Sequence, residues 1–336
     1  MSRNLTQQPA PATRLKRLFS NQRTVALLAL VFLFVFFCLA GNNFATYTTF
    51  VSILDSSYYI GFLAIGTTFI IITGGIDLSS GTVMVCCALI SGTLIKMGYP
   101  VWPSLALCIV LGGVFGSLNG FMVAVMGLPA FIATLGTMMI SRGLGSIITA
   151  TASVTFPQRR TPEGAFRNIF KILSADTPTG GYPTGFILFI ILAIIFGIIL
   201  GKTRPGRYIM SLGSNKEATR LSGIDTVRWE MLAYIIGGLF AGLAGLSYAA
   251  TYSTVLPGTG NGFELDAIAG TVIGGTSLSG GLGSISGTII GVFIMSVLKT
   301  GLPFVGLQPH YQLLFTGIVL VIAVFVDVLN RRRQRT

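Results

Sequence analysis

From Thr24 to Val328 the chain is a succession of apolar runs, with charged residues concentrated in the gaps between them. A helix needs about 20 mostly apolar residues to cross the roughly 30 Å hydrocarbon core of a membrane, because each residue advances it by about 1.5 Å. Ten candidate spans follow: Thr24–Ala40, Val51–Thr73, Leu78–Ile95, Trp102–Val125, Pro129–Thr149, Thr184–Gly201, Trp229–Thr251, Leu265–Ser277, Ile285–Gly301 and Tyr311–Val328. Leu265–Ser277 is short and rich in glycine, which predicts a broken or re-entrant element. Charged residues make up 10% of the chain, too few to clothe a soluble enzyme, whose share is about 25%. The expected fold is an all-α polytopic membrane protein of about ten transmembrane helices, some broken or re-entrant. It has a basic N-terminal tail (1–23), a membrane domain (24–328) and a basic C-terminal tail (329–336).

The net charge of +12 is distributed as a topology signal and not as a nucleic-acid surface. Arg14, Lys16, Arg17 and Arg23 precede the first run, and Arg331, Arg332, Arg333 and Arg335 follow the last. Lysine and arginine favour the cytoplasmic side, so both termini are expected there, which requires an even number of spans. With ten, the loop 202–228 also falls inside, carrying Lys202, Arg204, Arg207, Lys216, Arg220 and Arg228. The loop 150–183 falls outside despite Arg159, Arg160, Arg167 and Lys171, and the sequence gives no account of the Arg159–Arg160 pair. The first run has no small-x-small cleavage signal behind it and reads as an uncleaved span.

Glycines are spaced for close helix packing. Gly112, Gly116 and Gly120 lie on one helical face, and Gly238/Gly242, Gly270/Gly274 and Gly287/Gly291 repeat the spacing that lets backbones approach in lipid. One internal echo pairs Thr73-Gly-Gly-Ile-Asp-Leu-Ser-Ser-Gly81 with Ile273-Gly-Gly-Thr-Ser-Leu-Ser-Gly-Gly281. In transporters such repeats bring interrupted helices together near the path.

Catalytic signatures are lacking. Gly197-Ile-Ile-Leu-Gly201-Lys202-Thr203 is one residue short of a phosphate-binding loop and ends a span. Cys38, Cys86, Cys87 and Cys108 sit in apolar runs without metal-ligand spacing, and His310 is the single histidine. No enzyme activity, metal site or cofactor bound by this chain is expected.

The informative residues are acids in apolar surroundings. Asp77 stands between two spans, followed by Ser79; it suits a helix N-cap and equally a pore-lining residue. Glu264 and Asp266 open the short span, where acids complement the helix dipole. In the loop 202–228, Ser214 or Asn215 can cap a short helical turn over Glu217–Ser222, stopped by Gly223. So short a turn is not stable alone in water and needs a partner surface. Trp102 and Trp229 sit at span ends, as interfacial anchors do. No group of stacking aromatics with several polar partners marks a tight sugar site.

Four segments together carry a family resemblance: Thr73-Gly-Gly-Ile-Asp77-Leu-Ser79; Leu128-Pro-Ala-Phe-Ile-Ala-Thr-Leu135; Gly206-Arg-Tyr208 with Leu212-Gly213-Ser-Asn215 and Ala218-Thr-Arg-Leu-Ser-Gly223; and Gly262-Phe-Glu264-Leu-Asp-Ala-Ile-Ala-Gly270 with Gly274-Gly-Thr-Ser-Leu278. In this order they resemble the ribose-type permeases of bacterial ABC importers, over about residues 21–328. The resemblance implies a multi-pass inner-membrane subunit that forms the pathway for a simple, ribose-like sugar. It implies a periplasmic sugar-binding protein that delivers the sugar, a separate ABC ATP-binding subunit that uses ATP and Mg, and a second copy of the chain or a paralogous permease. It also assigns the coupling helix to Gly213, Asn215, Glu217, Ala218, Thr219, Arg220, Leu221, Ser222 and Gly223. Asp77, Ser79, Glu264, Asp266, Thr276 and Ser277 are placed near the path. The alternative is an ion-coupled secondary carrier for a small polar solute, with Asp77 as the ion or proton site.

Overall fold

The computed structural model describes residues 22–172, 181–308 and 310–335. The basic tail through residue 21, with Arg14, Lys16 and Arg17, lies outside the described residues. Twelve helices follow in order: α1 (Gln22–Ala40), α2 (Tyr47–Ile72), α3 (Ser80–Lys96), α4 (Val101–Gly120), α5 (Ala130–Ile148), α6 (Gly185–Lys202), α7 (Arg204–Ser214), α8 (Lys216–Leu221), α9 (Thr226–Tyr252), α10 (Phe263–Ile273), α11 (Ile285–Gly301) and α12 (His310–Arg335). A wider π-turn over Phe121–Val125 prolongs α4. Two short strands, β1 (Val154–Thr155) and β2 (Thr254–Val255), pair antiparallel with Val154 opposite Val255.

Among the described residues, seven helical stretches are long and apolar enough to cross a membrane: α1, α2, α4 with its π-turn, α5, α6, α9, and α11 with the turn after it. α3 and the apolar part of α12 (His310–Phe325) are shorter. The stretch Leu265–Ser277 is not a continuous span: α10 stops at Ile273 and a glycine-rich turn takes over. At 1.5 Å per residue, the 11 residues of α10 cover about half the hydrocarbon thickness.

Local chemistry sets where these helices begin. Thr46 accepts the Thr49 amide (3.2 Å) at the start of α2, Asp225 accepts the Arg228 amide (3.0 Å) at α9, and Ser284 accepts the Gly287 amide (3.2 Å) at α11. Their positions in the bundle follow from composition. α2 carries serines, threonines and glycines among its apolar residues, and every residue from Ile53 to Ile72 is buried. Its hydroxyls bond back to the preceding turn, as in Ser57 to Leu54 (2.7 Å) and Thr68 to Ala64 (2.6 Å), so burial leaves few polar groups unsatisfied. α6 is the opposite case: nearly all isoleucine, leucine and phenylalanine, it turns Ile187, Ile191, Ile194 and Ile198 outward.

The glycine seams form as their spacing suggests. Gly112 and Gly116 of α4 meet Gly238 and Gly242 of α9 so closely that a methyl group at Gly112 would overlap the Gly238 carbonyl oxygen. Gly270 and Gly274 of α10 meet Gly291 and Gly287 of α11 in the same way. Between the seams lies an aromatic core in which Phe62 packs on Phe189 and Phe240, and Phe196 on Phe240 and Phe69. One end of the bundle carries the strand pair and a 3-10 helix (Pro162–Ile169); the other carries α7 and α8.

Candidate functional site

At the α8 end, Asn215 caps a one-and-a-half-turn helix: its Oδ1 accepts the Ala218 amide (2.9 Å), while its carbonyl accepts the Thr219 hydroxyl (2.8 Å). The helix stops at Ser222, and Gly223 takes the left-handed conformation (φ +79°) that a glycine tolerates without strain. Thr219 faces inward; Glu217, Arg220, Leu221 and Ser222 face out, with Leu221 77% exposed. Arg220 bonds Glu217 (2.7 Å) and holds its carboxyl below the usual range through that hydrogen bond and its charge. Lys216 pairs with the buried Glu230 of α9 (2.6 Å), so α8 is tied to the bundle and not free on a loop.

Gly213 plays a different part from its neighbours. It sits in the last turn of α7, where a methyl group would overlap both the Ile72 carbonyl oxygen and the Gly281 amide. The Gly281 amide itself donates to the Ile72 carbonyl (2.9 Å), and Gly280 lies against the Gly74 amide. The two echoing segments, 73–81 and 273–281, thus touch each other, backbone to backbone, and Gly213 at the base of the α8 unit packs on the second of them and on Ile72, just before the first. Thr276 and Ser277 are buried in this junction.

Deeper in the bundle the first segment forms a polar node. Asp77 Oδ1 accepts both the Ser79 amide (2.7 Å) and the Ser79 hydroxyl (2.6 Å), an Asx-type turn one step before α3 and not a cap on the helix itself. Asn119 Nδ2 of α4 donates to Ser79 Oγ (2.9 Å), and Thr137 of α5 donates to Asn119 Oδ1 (2.6 Å). Thr134 takes the Leu78 amide (3.2 Å) and donates within α5, while Thr82 pairs with Ser141 (2.8 Å). One buried network therefore locks α3, α4 and α5 together.

The chain leading into α10 approaches from the strand end. Gly92 of α3 packs on Val154 and Phe156 in the strand layer, and Gly81 lies about 16 Å further along the same helix. Gly81 packs on Gly260 and Glu264, so the 256–262 loop dips from the strand layer into the bundle and the N-termini of α3 and α10 meet there. Glu264 Oε1 accepts the Gly262 amide (3.0 Å); its Oε2 is buried with no partner among the described residues. Asp266 turns elsewhere, to Lys299 (3.1 Å) and Thr316 (3.3 Å). Of the acids singled out in the sequence, Asp77 and Glu264 converge at the α3–α10 contact, whereas Asp266 belongs to a separate cluster.

Several participants are invisible in the sequence. Asn119 and Thr137 are ordinary polar residues within apolar runs until they are brought beside Ser79. Arg142 of α5 is exposed in a groove with Ser141, Gly258 and Gly260. A charge within a membrane span costs about 2.5–3.5 kcal/mol at the bilayer centre on insertion scales, so Arg142 is expected to face protein or water and not acyl chains. The basic residues of the 150–183 loop are likewise explained by partners far along the chain. Arg167 Nε (2.9 Å) and Arg159 (3.3 Å) both donate to the Ala250 carbonyl, where the last turn of α9 concentrates partial negative charge. Lys171 pairs with Asp55 of α2 (2.7 Å). Arg160 remains exposed.

A family model described as "Branched-chain amino acid transport system / permease component" matches residues 49–324. The chain is 35% identical to the ribose import permease protein RbsC of Escherichia coli K12, over 90% of this chain and 92% of that protein. It is 32% identical to the ribose import permease protein RbsC of Haemophilus influenzae, over 93% and 94%. With the L-arabinose transport system permease protein AraH of Escherichia coli K12 it shares 31% identity, over 92% of each. No solved structure matches.

Proposed function

The chain belongs to the family of branched-chain amino acid transport system permease components, and from that premise we propose that it is the membrane-spanning subunit of an ABC importer for a simple, ribose-like sugar. The family is named for amino acids; the sugar assignment rests on full-length relatives that are ribose and L-arabinose permeases. It places the chain in the bacterial inner membrane, as a multi-pass transport subunit and not an enzyme. An ABC ATP-binding subunit consumes the ATP, a periplasmic binding protein delivers the sugar, and a second copy of this chain or a paralogous permease completes the pathway.

With α3, α12, and α10 joined to the 256–262 loop that leads the chain in from the strand end, counted beside the seven long helices, the span number is ten. The charge distribution then sets both termini and the α8 end in the cytoplasm, and the strand end in the periplasm. The basic residues of the 150–183 loop fit this orientation because Arg159, Arg167 and Lys171 are engaged by Ala250 and Asp55.

One observation carries the coupling role: an exposed, capped helix whose base, Gly213, is wedged against the junction of both glycine-rich turns. The ATPase grips α8, and movement there reaches Ile72 and Gly281 without an intervening flexible segment. From that junction the 73–81 segment leads to Asp77 and Ser79, and α10 leads to Glu264. Asp77, Ser79 and Glu264 then line or gate the path, with Thr276 and Ser277 at its cytoplasmic base. Specificity is shared with the binding protein.

Native mass spectrometry of the gently solubilised protein from its own membranes tests this reading. The expected species holds two permease chains, one or both being this one, together with ATP-binding subunit. Crosslinking before solubilisation that captures no ATPase would overturn it in favour of an ion-coupled carrier, which transports when reconstituted alone and responds to pH or sodium.

A further inference from the structure

A cavity of about 300 Å³ lies between α10, α11 and α12, walled at one end by the 259–263 turn. Small-ligand sites run from about 300 to 1,000 Å³ and combine apolar walls with a few placed polar groups. Here Leu298, Leu313 and Leu320 supply apolar wall. The polar groups come from three elements that the sequence holds far apart. Lys299 of α11 pairs with Asp266 of α10 (3.1 Å) and stands 4.6 Å over the Phe263 ring. From α12, Thr316 donates to Asp266 Oδ1 (3.3 Å), and Gln312 donates through Nε2 to the Lys299 carbonyl (2.9 Å). Asn261 completes the lining.

Each of these groups keeps unused capacity. Asp266 retains free lone pairs, Lys299 two ammonium hydrogens, Gln312 its side-chain carbonyl, and Thr316 its acceptor lone pairs. The Lys299–Asp266 pair is neutral overall, so a net charge on the ligand gains nothing there. What remains is an alternation of donors and acceptors on an apolar wall, which suits a neutral solute whose hydroxyls both donate and accept. A zwitterionic amino acid fits less well: it must split the 3.1 Å pair and leaves Gln312, Thr316 and Asn261 without a role.

We propose that this cavity is a monosaccharide-binding station within the permease itself, with Asn261, Asp266, Lys299, Gln312 and Thr316 as its recognition residues. The proposal rests on the sugar-importer reading and names where in the chain the cargo is sensed. It also supplies the sugar site that the sequence alone conceals, because its residues come from the turn before α10 and from three helices. In the translocation sequence it receives sugar near the periplasmic side, beside the α10 N-terminus and Glu264.

The test is carried out on the complete transporter in proteoliposomes, with Gln312→Cys introduced. The rate of modification by a small methanethiosulfonate reagent is measured with D-ribose, L-arabinose, D-fructose or L-leucine present. At least one sugar, supplied at about four times its Kd, should slow modification about fivefold, and L-leucine should not. Absence of sugar protection, or protection by L-leucine alone, overturns the proposal whether or not uptake occurs. Protection without ATP-dependent uptake by the wild-type complex would sustain the cavity and sink the importer reading. A second variant, Thr316→Val, keeps side-chain shape while removing one hydroxyl; it should raise KM for the protecting sugar about fivefold with a smaller change in kcat. Unchanged KM for every sugar would equally overturn the assignment.

Discussion

Gly213 has no room for a side chain: the Ile72 carbonyl and the Gly281 amide occupy the space a methyl group would need. Gly213→Ala must therefore push α7 off the junction, and overpacking of this kind costs about 1–3 kcal/mol. The expected outcome is a permease that still inserts and still holds its ATPase, but whose ATP-driven uptake falls about tenfold or more. Parallel measurement of pull-down and uptake checks it; equal loss of both would place Gly213 in the docking surface instead. Asp77 and Glu264 make a second residue-scale contrast. Asp77 anchors a network through Ser79, Asn119 and Thr137, whereas Glu264 bonds only backbone and leaves Oε2 unpartnered among the described residues. Asp77→Asn replaces an acceptor facing two donors by a group that can turn a donor toward them, so it should damage uptake and thermal stability more than Glu264→Gln. Mild, equal effects in uptake and melting assays would show that the network is not needed for transport.

At the scale of elements, α8 is the clearest separable unit. Its fold is held from within by Asn215, Thr219 and Ser222 and from behind by Lys216–Glu230, which leaves Leu221 as an exposed apolar side chain with no structural duty. Leu221→Asp should leave the melting temperature unchanged and weaken ATPase association by about 30-fold or more, the loss expected of an apolar anchor worth about 2 kcal/mol. Surface-plasmon binding of the purified partner checks it. This helix was legible beforehand, because capping is local: Asn215 and Gly223 announce its ends within nine positions. The long helices and the glycine seams were legible for the same reason, since both depend on composition and spacing within one run. The polar node was not, because Ser79, Asn119 and Thr137 belong to three runs and acquire meaning only when α3, α4 and α5 are placed side by side. Arg159 and Arg167 were opaque likewise: their acceptor is a backbone carbonyl at Ala250, which no pattern of residue types encodes. The cavity residues Lys299, Gln312 and Thr316 look in sequence like scattered polar interruptions.

For the whole molecule the informative contrast is between its faces. Between Ile187 and Ile198, α6 presents isoleucines and nothing polar, which suits acyl chains. The face made by α5, the 256–262 loop and α12 exposes Arg142, Asn261 and non-helical backbone. Irregular backbone at membrane depth persists only where protein or water covers it, so in the proposed assembly this face is expected to lie inside. A photo-activatable side chain at Ile194 should give lipid adducts, and one at Thr259 should not; lipid adducts at both, read by mass spectrometry, would refute the assignment of faces.

The contact among Gly74, Gly213 and Gly280 is made of main-chain atoms alone. In the coupling route proposed above, a gearbox built that way is indifferent to cargo. Nothing in its teeth reads hydroxyls, chirality or charge, so evolution can retool the sensing walls between α10, α11 and α12 while the drive train stays as it is. That separation gives a mechanical reason why permeases for ribose and for L-arabinose can share one chassis with this chain.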